Sequence, residues 1–227
     1  MTAEWIRTHF LIFMLVAGTA FSYAWMVKHQ KAFRLKWYTA VPAAVLLTIW
    51  GVFCVKVFAI AEAGFNLKAA GNMSLFGGVF FMPVYYFFLA KAVRVNPKVM
   101  FDNGTICMIF TLMCARVNCI FAGCCIGWNI AGTHFRWPTR EAEIVFYILL
   151  MIWIIHSLRR IEDGKQPQGI IYPLYMMLYG IFRFICEFFR YNNNGRLFHL
   201  AHIWAAVSFC IGFSVYTQIK QEGKQKA

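Results

Sequence analysis

Long apolar runs along the chain alternate with short polar ones. Seven apolar stretches stand out, at 10–27, 38–61, 75–90, 105–122, 142–156, 169–189 and 200–219. Strands of a membrane barrel would show sustained alternation of apolar and polar positions, and no such segments occur. Roughly 20 apolar residues carry an α-helix across a hydrocarbon core, and the seven stretches approach that length. The pattern predicts an all-α integral membrane protein of about seven transmembrane helices. The stretches use most of the chain, so a single polytopic domain over 1–227 is expected. The first stretch runs about 18 residues, longer than the roughly 7–15 of a signal-peptide core, and is read as a retained span. Neither end carries a lipidation or retrieval motif.

Composition agrees. Hydrophobic residues make up 61% of the chain and charged residues only 14%, which is too apolar for a soluble domain of this size. The net charge of +13 is distributed as a topology signal. Lys28, Lys31, Arg34 and Lys36 fill the first loop, Lys91, Arg94 and Lys98 the third, and Arg159, Arg160 and Lys165 the fifth; Lys220, Lys224 and Lys226 end the chain. The alternate segments are poorer in base. Basic loops stay cytoplasmic, so the N-terminus is expected outside and the C-terminus inside. The surplus base then faces anionic headgroups, and no basic, aromatic groove for nucleic acid is visible. With this orientation, segments 62–78, 116–143 and 183–202 gather at the outer face. They hold most of the glycines, cysteines, arginines and acids that topology leaves unexplained.

Within those segments, Arg183, Glu187 and Arg190 are four and then three residues apart, so they share one helix face. Charges inside a span usually face a partner or a cavity. Glu187 can hold Arg183 and leave part of its planar fork for a phosphate. Arg116 lies near the outer end of the fourth span and shares a face with Cys119 and Gly123. Gly123 and Gly127 allow the chain to break or to pass close to a ligand. Gly77 and Gly78 open the third span. Pro138 and Thr139 read as a helix start, with Glu141 and Glu143 in the first turn, where the helix dipole favours acids.

The cysteines divide into two sets. Cys54, Cys107, Cys114, Cys186 and Cys210 are scattered in apolar runs, as small core residues are. Cys119, Cys124 and Cys125 cluster at the outer face, as a candidate redox or metal group. Their spacing matches no standard zinc module, even with His134, His199 or His202 added, and no resident metal or cofactor is expected. Two readings stay open: a Cys119–Cys124 staple across a helix broken near Gly123, or a thiolate at Cys124 supported by Arg116.

Taken in order, these motifs resemble the prolipoprotein diacylglyceryl transferase family over about residues 75–215. Phe76-Gly77-Gly78 is similar to the family's His-Gly-Gly. Residues Arg116 to Gly127 are similar to its Gly-Arg-x-x-Asn-Phe and Gly-Glu-x-x-Gly signature. Trp137-Pro138-Thr139-Arg140-Glu141-Ala142-Glu143 is similar to its His-Pro-Thr-Gln-Leu-Tyr-Glu. Tyr179-Gly180, Arg183, Glu187 and Arg190 are similar to its Tyr-Gly-x-x-Arg…Glu…Arg. Phe76, Cys119, Cys124, Trp137 and Arg140 depart from the family residues, whereas Arg116, Gly127, Pro138, Thr139, Glu143, Arg183, Glu187 and Arg190 agree.

The resemblance implies a seven-span fold in the bacterial cytoplasmic membrane with its site facing outside. It implies transfer of diacylglycerol from phosphatidylglycerol to a cysteine thiol of an exported lipoprotein precursor, without a cofactor. Arg116 and Arg183 would then stabilise the phosphate, with Glu143 or His134 as base. Gly77, Gly78, Gly127, Thr139, Glu187 and Arg190 would shape substrate binding. Two other classes remain open: a thiol- or metal-dependent membrane protein built on Cys119, Cys124 and Cys125, and a phospholipid-binding protein without catalysis.

Overall fold

The computed structural model describes residues 3–68, 73–130, 133, 135–191 and 198–225. The described residues form eight helices: α1 (Ala3–Lys28), α2 (Gln30–Phe33), α3 (Trp37–Glu62), α4 (Leu75–Val93), α5 (Pro97–Ala122), α6 (Thr139–Glu162), α7 (Ile171–Phe188) and α8 (Leu200–Gln225). All but the one-turn α2 are long and apolar enough to cross a bilayer. A helix of 26 residues spans about 39 Å, more than the roughly 30 Å of hydrocarbon, so the longer spans have room to tilt or to project. Seven candidate spans among the described residues are an odd number, which fits termini on opposite faces of a membrane.

Several spans begin earlier or end later than hydropathy alone indicates. α5 starts at Pro97, not near residue 105, and α6 runs from Thr139 to Glu162, beyond the 142–156 core. The reason is that polar residues are satisfied inside the bundle. Asn96 caps α5 by accepting from the Lys98 amide at 3.0 Å, with Pro97 at the first helical position. Asp102 and Asn103 follow inside the helix, both buried. The Asp102 carboxylate accepts from the backbone amides of Gly169 (2.5 Å) and Ile171 (2.9 Å). It therefore caps the start of α7 from a neighbouring helix, meeting donors that a helix N-terminus leaves open. Trp25 donates to the Asn103 carbonyl at 3.1 Å and ties α1 to the same place.

α5 is the centre of the packing and touches α1, α4, α6 and α7. α7 pairs most extensively with α8. Small residues allow these approaches, as expected where lipid removes the hydrophobic drive between helices. A Cβ on Gly77 would collide with the Cys54 carbonyl of α3, and one on Gly180 would lie 2.6 Å from the Ala205 carbonyl of α8. α7 is the shortest span and the most enclosed. Its inner side carries Tyr172, Tyr175, Tyr179, Arg183 and Glu187, all buried. The helix that hydropathy alone rates weakest is thus the one sheltered by its neighbours.

Removing the cross-helix cap should loosen α7. Asp102→Ala is expected to lose about 1–3 kcal/mol of stability, the cost of stranding buried backbone donors. Asp102→Asn, which keeps one acceptor, should lose less. Thermal unfolding in detergent ranks the three proteins; identical melting would remove Asp102 from this role.

Candidate functional site

Three segments converge where α5 ends, α6 begins and α7 ends. α5 supplies Arg116, α6 supplies Glu143, and α7 supplies Arg183 and Glu187, with Arg190 just beyond its last turn. Glu143 is the hub and is fully buried. Its Oε2 meets the Nε of Arg116. Its Oε1 accepts from Arg183 Nη1 at 2.9 Å and from Arg190 Nη2 at 2.6 Å. Glu187 forms the second node, 2.8 Å from Arg183 Nη2, 3.5 Å from Arg190 Nη1 and 3.3 Å from His199 Nε2. Three guanidiniums here share two buried carboxylates in a region nearly shut off from water, and a third carboxylate, Glu62 of α3, stands on the wall of the adjoining cavity. Arg116 and Arg183 are each 4% exposed.

The chain leaving α5 is folded to hold this arrangement. Gly123 ends the helix in the left-handed region (φ 69°), and Cys125 adopts φ 57°, which is uncommon for a residue with a side chain. Residues 126–128 then run beside 189–191. Tyr191 donates to the Ile126 carbonyl at 2.8 Å, and Trp128 to that of Phe189 at 3.0 Å. Gly127 pairs with Arg190 in this clasp, and a Cβ there would collide with the Trp137 carbonyl. The clasp fixes Arg190, which lies outside the helix, in reach of Glu143.

The same loop assembles the cysteines that follow Arg116. The sulfurs of Cys119, Cys124 and Cys125 lie within 4.8 Å of one another, and all are free thiols. Arg116 Nη1 stands 3.4 Å from Cys125 Sγ and 3.9 Å from Cys119 Sγ. The thiol supported by Arg116 is therefore Cys125, not Cys124, which is exposed. Hydrogen bonds from the Cys119 and Cys124 thiols, followed by the nearby Arg116 charge, hold the Cys125 thiol well below its ordinary range. The Cys119–Cys124 staple is not formed, although the helix does break at Gly123.

Beside the network lies a cavity of about 210 Å³ whose walls include Ser74, Phe76, Arg116, Cys125, Arg183 and Arg190. The Phe76 ring sits under Arg183, 5.6 Å from the guanidinium carbon, and stacks on Phe80. Phe80 in turn lines a cavity of about 750 Å³ with Phe58, Tyr172, Met176, Trp204 and Ile211. A small charged chamber thus adjoins a large apolar one across a phenylalanine wall.

Arg116, Glu143, Arg183, Glu187 and Arg190 come together, with the three cysteines against them. Gly77 and Gly78 are buried packing positions between helices. Thr139 turns its hydroxyl to the Cys125 carbonyl at 3.1 Å and so holds the loop. His134 lies outside the described residues. Glu141 is exposed and faces Arg140 at 3.6 Å, which separates it from its buried neighbour Glu143. His199 reaches Glu187, and His202 packs among Phe184, Phe188 and Phe198. Neither joins the thiols. The place of His199 was hidden because only tertiary packing brings it to Glu187.

Residues 5–218 match the family described as prolipoprotein diacylglyceryl transferase. The chain belongs to this family. Among its relatives is a phosphatidylglycerol–prolipoprotein diacylglyceryl transferase of Tropheryma whipplei strain Twist, 28% identical over 176 residues. That alignment covers 69% of this chain and 62% of the relative, so the chain spans about three-fifths of that protein's length. A Dehalococcoides mccartyi protein of the same name is 20% identical over 240 residues, covering 94% of this chain and 90% of its own. A Clostridium tetani protein of that name is 27% identical over 97 residues, covering 36% of this chain and 37% of its own.

In this family member the two carboxylates are not equivalent. Glu143→Gln removes the anion shared by three guanidiniums and should cost about 3–5 kcal/mol, the range for breaking a buried ion pair. Glu187→Gln, at the edge of the network, should cost less. Unfolding temperatures of both variants in detergent check the order, and the reverse order would displace Glu143 as the hub.

Proposed function

We propose that this chain moves the diacylglyceryl group of phosphatidylglycerol to a cysteine thiol of an exported lipoprotein precursor, at the outer face of a bacterial cytoplasmic membrane. The observation that carries the reading is the buried arginine–glutamate network, in which three guanidiniums converge on one small cavity. A phosphodiester headgroup is an anion that those guanidiniums can receive. Arg116 and Arg183 offer planar forks to phosphate oxygens, and their carboxylate partners keep those forks oriented before substrate arrives. The large apolar cavity suits acyl chains. The relatives' name, phosphatidylglycerol–prolipoprotein diacylglyceryl transferase, supports the same substrate.

In this reaction the acceptor sulfur attacks the glycerol carbon that bears the phosphate ester. The carbon–oxygen bond breaks and glycerol phosphate leaves, taking the electron pair as a second negative charge on phosphate. Arg116 and Arg183 stabilise that growing charge, which is where preorganised donors act most strongly. The thiol proton needs a base. Glu143 spends both oxygens on guanidiniums. We assign the role to His199: when Nε2 donates to Glu187, Nδ1 keeps the lone pair that receives the proton. Glu187 is then a positioning residue for both Arg183 and His199.

The test is incubation of the full chain in detergent or vesicles with labelled phosphatidylglycerol and a peptide bearing a lipobox cysteine. Lipidated peptide is the expected product. Arg183→Lys keeps the charge and loses the fork, and turnover should fall at least tenfold, about 1.4 kcal/mol of transition-state stabilisation. His199→Gln should bind the lipid normally and turn over roughly 100-fold more slowly. Phospholipid bound without turnover in the unaltered chain would favour a lipid-binding role, a reading to which Phe76, in place of the family histidine, gives some weight.

Orientation is tested separately. The loop charges favour an N-terminus outside and a C-terminus in the cytoplasm. A reporter fused after Ala227 should be active only in the cytoplasm; activity only outside would put the site on the wrong face for an exported acceptor.

A further inference from the structure

The thiols of Cys119, Cys124 and Cys125 form a second centre that the transfer reaction does not use. Their sulfurs lie within 4.8 Å of one another. An ion ligated by three thiolates at about 2.3 Å would hold its sulfurs about 4 Å apart. Movements of less than about 1 Å therefore close the set, within the reach of side-chain torsions. We propose that Cys119, Cys124 and Cys125 bind one soft, thiolate-seeking metal ion, zinc(II) or copper(I), beside the headgroup site.

The backbone supports this. Left-handed Gly123 and Cys125 fold the chain back, so that thiols five and six residues further along return to Cys119. The Cys124 amide donates to the Cys119 carbonyl at 3.3 Å. Arg140 Nη1 donates to that same carbonyl at 3.3 Å, and Thr139 Oγ1 to the Cys125 carbonyl at 3.1 Å. Each end of the cluster is thus tied to the start of α6. A strained φ at a non-glycine residue persists only where its surroundings enforce it, and here the result is to aim the third thiol inward.

The chemistry is suited to a d¹⁰ ion. Sulfur ligands select copper(I) and zinc over the harder cations. Three thiolates with zinc carry a net charge of −1, and with copper(I) −2. Arg116, 3.4 Å from Cys125 Sγ and 3.9 Å from Cys119 Sγ, supplies outer-sphere positive charge. Cys124 is exposed, so an ion can reach the cluster from the surface, and zinc would keep a fourth position for water. Binding releases to solvent the thiol protons still held and changes no oxidation state. Among the described residues, His199 and His202 are engaged elsewhere and supply no ligand. Because Arg116 faces both the sulfurs and Glu143, an ion there would restrain the guanidinium that the lipid phosphate needs. The inference does not depend on the transfer reaction.

The test uses the full chain, purified in detergent under reducing conditions and stripped with a chelator. Cobalt(II) is added as the probe for zinc, and copper(I) is offered from a chromogenic chelator. The expected result is one ion per chain, with a thiolate-to-cobalt charge-transfer band or removal of copper from the chelator. All three cysteines should then be protected from alkylation. Cys124→Ser should weaken binding at least tenfold, whereas Cys210→Ser, an exposed cysteine on α8 outside the cluster, should leave it unchanged. Absence of stoichiometric binding by either ion overturns the proposal. So does binding that survives replacement of all three cysteines by serine, or a Cys119–Cys124 disulfide in membranes alkylated before lysis.

Discussion

Glu143 is a carboxylate with no exposure to water, held by guanidiniums from three segments of chain. Burying such a charge is costly unless partners satisfy it. Here the partners come from α5, from α7 and from the residue pair that follows α7. The ends of three helices must therefore meet at one point, and much of the surrounding structure serves that meeting. Asp102 fixes the far end of α7. Gly77 lets α4 close on α3, and Gly180 lets α7 close on α8. The clasp between residues 126–128 and 189–191 delivers Arg190. Without the carboxylate, three like charges would be confined together in a low-dielectric space.

Three guanidiniums reach one small cavity, and this turns a structural knot into a binding site. The arginines that line the cavity of about 210 Å³ can receive an anion, and the small chamber admits a headgroup rather than a protein segment. The neighbouring apolar cavity and the membrane setting point to a lipid as the source of that anion.

Much of this was legible in the sequence, for identifiable reasons. Bilayer thickness forces spans of nearly uniform length, so seven helices could be read directly. The errors fell where polar residues are satisfied inside the bundle, Asp102 by the start of α7 and Asn103 by its own helix, and so continue a span that hydropathy would end. Arg183, Glu187 and Arg190 stood out because their spacing follows the helical period. Glu143 was ambiguous, because an acid in a first helical turn is also what the dipole favours; burial separates it from Glu141. His199 was not legible, since its partner Glu187 is reached across two chain segments rather than along one. The cysteine cluster was half legible: the spacing of Cys119, Cys124 and Cys125 showed proximity, but the left-handed turn that gathers the three thiols depends on Cys125 in a conformation its residue type does not announce.

The central claim is that the guanidiniums of the network select an anionic headgroup. Native mass spectrometry of the purified chain, offered phosphatidylglycerol or a diacylglycerol with the same acyl chains, tests it most directly. The account predicts one phosphatidylglycerol retained per chain and displaced by added glycerol phosphate, with the neutral lipid lost. Equal retention of the two lipids, unaffected by glycerol phosphate, would show that the acyl chains alone direct binding and would contradict it.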